Sequence, residues 1–245
     1  MFSNLTLVRK DRLRDLKARE NGFFDLQFLR AIPEQHRNRC FDLLDRSRSQ
    51  LRQDLFALAM LDFREGGYFV EFGATDGENL SNTCLMERDF GWTGLLAEPG
   101  RSWHSLLRAN RACTVDTRCV WHTTGETLQF TEAPHLEQSG ITSYVKTRRR
   151  LRGQTYDVAT ISLNDLLAEQ GAPAVIDYMS VDTEGSEFGI LNAVDFDRWS
   201  FRVLTIEHNF APQRTDIHAL LTGKGYRRVL ESVSRFDDWY LGPEA

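Results

Sequence analysis

The sequence lacks the features of membrane, secreted and nucleic-acid-binding proteins. No apolar run approaches the ~20 residues of a membrane-spanning helix, and the first residues, 1–5, contain no apolar core of a secretory signal. The net charge of −5 argues against non-specific binding to nucleic acid. We therefore expect no membrane span, no cleaved leader and no nucleic-acid partner.

Cysteine is also scarce. The four cysteines, Cys40, Cys84, Cys113 and Cys119, form no CxxC pair, and no nearby histidines complete a zinc pattern. They are typical of reduced thiols in a cytoplasmic protein. The remaining composition, with 41% hydrophobic and 27% charged residues, is ordinary for a globular chain. The length of 245 residues allows one large domain, or one domain with an appendage.

The order of hydrophobic segments predicts an α/β fold. Residues 1–66 have a charged, helical pattern, and strands then alternate with helices, as in a parallel sheet covered on both faces. The five predicted strands of this alternation are 68–73, 94–98, 114–121, 175–181 and 202–207, and 126–131 has the pattern of an additional strand. Two short strands near the end, 228–232 and 239–241, predict an antiparallel hairpin typical of class I methyltransferase sheets.

The segment 132–155 interrupts this alternation. It contains Pro134, Gly140 and Gly153, and its arginine run occupies 148–152. It is long for a simple connection, which indicates a functional loop or a partly disordered one. Its arginines either lie on a solvated face or form a lid that contacts an anionic substrate.

A glycine turn follows the first predicted strand. The strand contains Glu71 and runs into Gly73, and Asp76 and Gly77 follow before a helical pattern begins. The turn has neither the three-glycine dinucleotide fingerprint nor a P-loop lysine. An acid-rich turn suits a cationic cofactor without phosphate, of which S-adenosylmethionine (SAM) is the commonest. The alternative is an ordinary strand-to-helix turn of another α/β protein.

Acids also end the next predicted strands. Glu98 closes the second strand, where an acid can bind both ribose hydroxyls of a nucleoside or simply precede a turn. Asp182 ends the fourth strand and can contact cofactor, substrate or a divalent cation. Glu184 and Glu187 follow it and also suit the first turn of a helix.

The fifth strand ends in Glu207-His208-Asn209. Asp182, Glu207 and Asn209 offer oxygen ligands for Mg²⁺. His208 can serve as a general base, because imidazole titrates near neutral pH, or can only bond to a neighbouring loop.

With these residues in place, the chain resembles the FkbM family of SAM-dependent methyltransferases. The resemblance rests on Gly67-Tyr-Phe-Val-Glu-Phe-Gly-Ala-Thr-Asp-Gly77, on Gly91-Trp-Thr-Gly-Leu-Leu-Ala-Glu-Pro99, and on segments 49–56, 161–167, 176–187 and 203–209. It implies a Rossmann-like class I fold with a seven-stranded, mostly parallel sheet, a C-terminal antiparallel hairpin and an N-terminal helical extension. The implied division is a helical extension at 1–48 and a SAM-dependent methyltransferase domain at 49–245.

The resemblance further implies O-methylation of a hydroxyl on a sugar, glycan or secondary metabolite. It implies that Asp182, Glu184 and His208 face the site of methyl transfer. Together with the end of the fifth strand, this predicts His208, Asp182 and Glu207 as the catalytic residues. Its implied cofactor residues are Gln53, Glu71, Gly73, Thr75, Asp76, Gly77, Ser81, Asn82, Thr83, Glu98, Asp182 and Glu184. After Glu98 the chain has Gly100-Arg-Ser-Trp103 where relatives often carry Asn, which affects only the adenine edge.

Three alternatives remain open from the sequence. The acceptor can be a protein or a lipid, or the domain can bind SAM or another nucleoside without catalysis. The arginine-rich segment would also fit a phosphorylated or nucleotide-linked acceptor.

Overall fold

The computed structural model describes residues 9–144 and 153–243. The arginine run at 148–152, predicted as a lid or a solvated face, lies outside the described residues. In the part of the chain that the structure describes, no helix combines the length and the apolar composition of a bilayer span.

The described elements follow each other in an α/β order. The strands are β1 Tyr68–Phe72, β2 Thr93–Ala97, β3 Thr114–Asp116, β4 Cys119–Trp121, β5 Thr127–Glu132, β6 Gly140–Ile141, β7 Gln154–Ser162, β8 Val175–Val181, β9 Ser200–Glu207, β10 Arg227–Val229 and β11 Asp237–Leu241. The α-helices are α1 Lys10–Ala31, α2 Arg37–Leu43, α3 Gln53–Met60, α4 Cys84–Phe90, α5 His104–Asn110, α6 Leu163–Glu169, α7 Glu187–Asn192 and α8 Arg214–Gly223.

Seven of the described strands form the main sheet, in the order β10-β11-β9-β8-β1-β2-β3. β3, β2, β1, β8 and β9 pair in parallel, whereas β11 is antiparallel to both β9 and β10. This topology confirms the predicted fold class. The carboxyl ends of the parallel strands meet at one edge, which is where ligands bind in open α/β sheets.

Strand alternation builds a separate core on each face of the main sheet. Phe69 points into one core, and its neighbour Val70 points into the other, because successive strand side chains face opposite ways. In the first core Trp239 stacks on Phe56 with ring centroids 4.6 Å apart and meets Phe28 edge-on at 6.4 Å. These aromatic contacts tie α1 and α3 to the antiparallel strand β11.

The second half of α1 packs on the main domain. Phe24, Phe28 and Ile32 are buried in the first core, and Arg52 forms two hydrogen bonds with Asp25, at 2.8 and 3.1 Å. The first half of the helix is exposed. The predicted division at residue 48 stays a prediction, but hydrophobic burial joins the extension to the domain.

A second sheet replaces part of the predicted third strand. Residues 114–121, expected as one strand, divide into β3 in the main sheet and β4 in a sheet of order β4-β7-β5-β6. Asp116 Oδ1 accepts the Arg118 backbone N–H at 2.8 Å, and this turn separates the two strands. β7 was not predicted. α6 has a capped start, since the Ser162 hydroxyl accepts the Asp165 N–H at 3.1 Å.

Candidate functional site

A cavity of about 640 Å³ lies at the carboxyl ends of β1, β2, β8 and β9, within the usual size range of small-molecule sites. The second sheet borders it opposite the main sheet through β4, β5 and β6. The predicted site residues that line it are Gln53, Glu71, Gly73, Thr75, Asn82, Glu98, Asp182, Glu184, Glu207 and Asn209. Asp76, Gly77, Ser81, Thr83 and His208 are not among its lining residues.

Gly73 brings the end of β1 against the end of β8. Its φ is 73°, and a Cβ at this position would lie 2.1 Å from the backbone oxygen of Asp182. Only glycine fits without displacing that backbone. This glycine therefore permits close approach between two turns that form the site.

Glu71 organises the loop after this turn. Its carboxylate accepts hydrogen bonds from the Ser81 hydroxyl at 3.0 Å, the Thr83 hydroxyl at 2.6 Å and the Asn82 backbone N–H at 2.7 Å. Asp76 stabilises the start of the same loop by accepting backbone N–H groups of residues 78 and 79. These acids therefore act mainly on the shape of the loop.

Asn82 lines the cavity and has one side-chain atom without a hydrogen-bond partner among the described residues. Its Nδ2 donates to the Ser180 hydroxyl at 2.8 Å, whereas its Oδ1 is buried and has no hydrogen-bond partner among the described residues. A buried carbonyl oxygen without a donor is costly, at about 1–3 kcal/mol. A ligand with an N–H or O–H group at this position would remove that cost.

Glu98 is fixed at the end of β2 by two backbone donors. Its Oε2 accepts the Thr75 N–H at 2.9 Å, and its Oε1 accepts the Gly100 N–H at 2.7 Å. Each carboxylate oxygen keeps a second lone pair, so Glu98 can still accept two hydroxyl donors from a ligand. Burial raises the pKa of Glu98 to about 7.

Asp182 and Glu207 form a carboxyl pair where β8 and β9 end. Burial together with the neighbouring acids raises the pKa of both carboxyls. Adjacent carboxylates in a buried site repel each other, so the pair binds a proton more tightly than an isolated carboxylate does.

The described residues do not support the predicted Mg²⁺ site. Among them, no group of three or more His, Cys, Asp or Glu side chains could hold a metal ion. Asn209 donates its amide N–H to Glu207 Oε2 at 2.6 Å. Asn209 thus directs a donor, rather than an oxygen ligand, at the pair.

His208 lies away from the cavity. It is only 2% exposed, its Nδ1 accepts the Phe210 backbone N–H at 2.9 Å, and its Nε2 lies 3.7 Å from Asp238 Oδ1. Asp238 is also paired with Arg214 at 2.8 Å. A general base must reach the acceptor, and this imidazole has no position on the cavity wall.

Several lining residues were missed by sequence reasoning. Asp237 begins β11, lines the cavity and accepts Gln53 Nε2 at 2.8 Å, and burial raises its pKa to about 6. The sequence placed it only at a hairpin junction. Residues 136–141 line the opposite wall, although they belong to the segment read as a loop. Asp237 could have been identified from the predicted hairpin, because the start of a strand antiparallel to β9 lies beside the carboxyl end of β9, where Asp237 pairs with Glu207.

Comparison with known proteins places the chain in a family. No curated protein matches it. Similar solved structures include precorrin-6y C5,15-methyltransferase from Geobacter metallireducens GS-15, 12% identical with a TM-score of 0.42 over 71% of this chain and 72% of that one. Another is a human methyltransferase 10 domain containing protein, 12% identical with a TM-score of 0.39 over 78% and 81%. The profile of the methyltransferase FkbM domain matches residues 71–228, which is more than half of the chain. The chain therefore belongs to the FkbM methyltransferase family.

Proposed function

We propose that the protein is a SAM-dependent O-methyltransferase acting on a hydroxyl of a sugar, glycan or secondary metabolite. The observation that carries the proposal is that three polar features line one cavity. They are the carboxylate of Glu98 at the end of β2, the residue Asn82 with its unpaired Oδ1, and the carboxyl pair Asp182–Glu207. These groups match, in order, the needs of a ribose, an ammonium group and a hydroxyl that must lose a proton.

The donor set fits SAM better than a nucleotide. Glu98 has lone pairs for the two ribose hydroxyls, and Asn82 Oδ1 needs a donor such as the ammonium of the methionine part. Carboxylates on the cavity wall favour a cation and repel phosphate. When bound, SAM supplies an electrophilic methyl group on a sulfonium.

In the proposed reaction, the protein orients the acceptor oxygen and removes its proton. The Asp182–Glu207 pair would take up the proton of the acceptor hydroxyl, and bound SAM would supply the methyl group, with its C–S bond breaking as the O–C bond forms and SAH as the leaving group. Alignment can contribute up to about 7–11 kcal/mol. General-base help is typically about 10²–10⁴-fold.

The part of the cavity around the carboxyl pair, here called the acceptor end, favours an uncharged hydroxyl compound. Four acidic side chains line this end, namely Asp182, Glu184, Glu207 and Asp237. A phosphate or carboxylate within a few ångströms of them is opposed by Coulomb repulsion, at about 4 kcal/mol per pair at 4 Å with an effective dielectric constant of 20. A phosphorylated or nucleotide-linked acceptor therefore needs its anionic group outside this end.

The proposal is tested by binding and turnover together. Calorimetry is expected to show binding of SAM and of S-adenosylhomocysteine (SAH), with ATP as a phosphate-bearing control that does not bind. An acceptor library with tritiated SAM is then expected to give transfer to neutral sugars or polyols in preference to their 6-phosphate analogues. Absence of binding to both SAM and SAH contradicts the proposal, and binding without transfer to any hydroxyl acceptor indicates a non-catalytic module.

Glu98 should make cofactor affinity depend on pH. Its pKa in the folded protein, about 7, lies above the ordinary value of 4.5, so the ionised form that accepts ribose hydroxyls dominates only above pH 7. The affinity for SAH is expected to fall as pH decreases from 8 to 6, by up to about tenfold per unit below the pKa. Calorimetry across this range measures it. Glu98→Gln should bind weakly at every pH, and an equally steep profile in this variant contradicts the assignment.

A further inference from the structure

Arg111 is a buried cation beneath the loop of residues 77–83, here called the cofactor loop. Its guanidinium is 0% exposed and donates to the Gly77 carbonyl oxygen at 3.1 Å, to Ser81 Oγ at 3.1 Å and to Thr83 Oγ1 at 2.9 Å. Its Nε donates to Glu87 on α4. Three of its partners thus belong to one loop, although Arg111 lies about 30 residues further along the chain.

Glu71 approaches the same two hydroxyls from the other side. Ser81 and Thr83 each donate their proton to the Glu71 carboxylate and each accept an N–H from Arg111. A carboxylate can only accept and a guanidinium can only donate, so every hydrogen-bond direction in this set is fixed. Arg111 and Glu71 also form an ion pair at 3.7 Å.

The residue between the two hydroxyls is Asn82. Glu71 accepts its backbone N–H, and Ser180 holds its Nδ2, so the peptide and the carboxamide are both fixed. Asn82 lines the cavity, and its buried carboxamide oxygen has no hydrogen-bond partner among the described residues. Arg111 and Glu71, here called the Arg111–Glu71 clamp, therefore hold the segment that carries this oxygen.

We propose that Arg111 is a positioning residue for cofactor binding, acting through Ser81 and Thr83 to hold the Asn82 oxygen towards the ammonium group of SAM or SAH. The inference rests on the proposed function. The fork of a guanidinium reaches a carbonyl and two hydroxyls at once, which the compact ammonium of lysine does not reproduce. Burying a charged group is costly unless it is fully paired. Most of the hydrogen-bond partners that stabilise the buried Arg111 belong to the cofactor loop.

A double-mutant cycle on SAH affinity tests the inference without using activity. Thr83→Val removes the bridging hydroxyl, Asn82→Ala removes the oxygen, and Arg111→Lys alters the clamp directly. Thr83→Val and Asn82→Ala are each expected to weaken SAH binding about tenfold, the effect of losing one good hydrogen bond. The double variant is expected to bind like Asn82→Ala alone, because Thr83 acts through Asn82. Adding Arg111→Lys to the Asn82→Ala variant is likewise expected to cause no further loss of SAH affinity.

Thr160→Val is the matched control. Thr160 is also a buried threonine, 2% exposed, and its hydroxyl bonds to the Thr123 carbonyl oxygen at 2.8 Å in the second sheet. It should lower the Tm without changing SAH affinity. Two results overturn the inference while leaving the proposed function intact. One is that the losses of SAH affinity caused by Thr83→Val and Asn82→Ala multiply in the double variant, and the other is that Thr83→Val alone leaves SAH affinity unchanged. Failure of the unmodified protein to bind SAM and SAH overturns the proposed function itself. If Arg111→Lys does not fold, the Thr83 and Asn82 variants still decide the question.

Discussion

Replacing Asp182 with asparagine is expected to lower kcat by about 10²–10⁴-fold while leaving SAM affinity nearly unchanged. Asparagine keeps the shape of the side chain and can still donate a hydrogen bond to Glu207, but it cannot take up the proton of the substrate hydroxyl. The loss therefore falls on the chemical step. Single-turnover rates with tritiated SAM and a hydroxyl acceptor, together with SAM calorimetry, measure the two quantities separately.

His208 provides the decisive comparison. Asparagine at position 208 can accept the Phe210 N–H as the imidazole does, and the side chain does not line the cavity, so His208→Asn should keep most of the turnover. Asp216→Asn, at an exposed position on α8, serves as a surface control. Collapse of turnover in His208→Asn with normal turnover in Asp182→Asn would return the base role to the histidine.

Gly73→Ala is expected to destabilise the fold by about 2–5 kcal/mol, because a left-handed backbone costs about 1–2 kcal/mol and overpacking about 1–3 kcal/mol. Both costs arise at this position, because its φ is 73° and an added Cβ would lie 2.1 Å from the backbone oxygen of Asp182. SAM binding should also be lost, since the β1 turn can relieve the contact only by moving away from β8. Urea unfolding and calorimetry measure the two effects.

Gly66→Ala separates the two costs. Gly66 has a φ of 67°, close to that of Gly73, but nothing lies within 4 Å of an added Cβ. This variant should lose only the backbone part, about 1–2 kcal/mol, and should keep SAM affinity. Equal losses of stability in the two variants, with SAM binding retained in both, would show that the contact between the β1 and β8 turns is not needed.

The main sheet could be predicted because its strands carry strong local signals. Five of the seven residues of Val175–Val181 are apolar or aromatic, and the structure gives β8 the bounds that the sequence predicted. β7 could not be recognised in the same way, since its first half, Gln154–Asp157, is mostly polar and is stabilised by pairing with β5. Its strand character depends on a distant partner rather than on its own composition.

Within the site, residue type was predictable but orientation was not. Glu207 and His208 are adjacent, yet only Glu207 lines the cavity, because consecutive side chains leave a strand on opposite faces. A shift of one residue in the register of β9 would have exchanged them. Arg111 was missed for another reason. Its meaning depends on hydroxyls about 30 residues earlier in the chain, which no local pattern connects to it.

The cavity is bordered by two sheets that are hydrogen-bonded separately. The cofactor loop and the Glu98 turn belong to the main sheet, whereas β6 and β7 both pair with β5 in the second sheet. Side chains of β5 and β6 on the cavity wall can therefore be replaced without removing any hydrogen bond of the main sheet. An engineer can reshape that wall within the second sheet alone, while the strands that precede Gly73 and Glu98 keep their pairing.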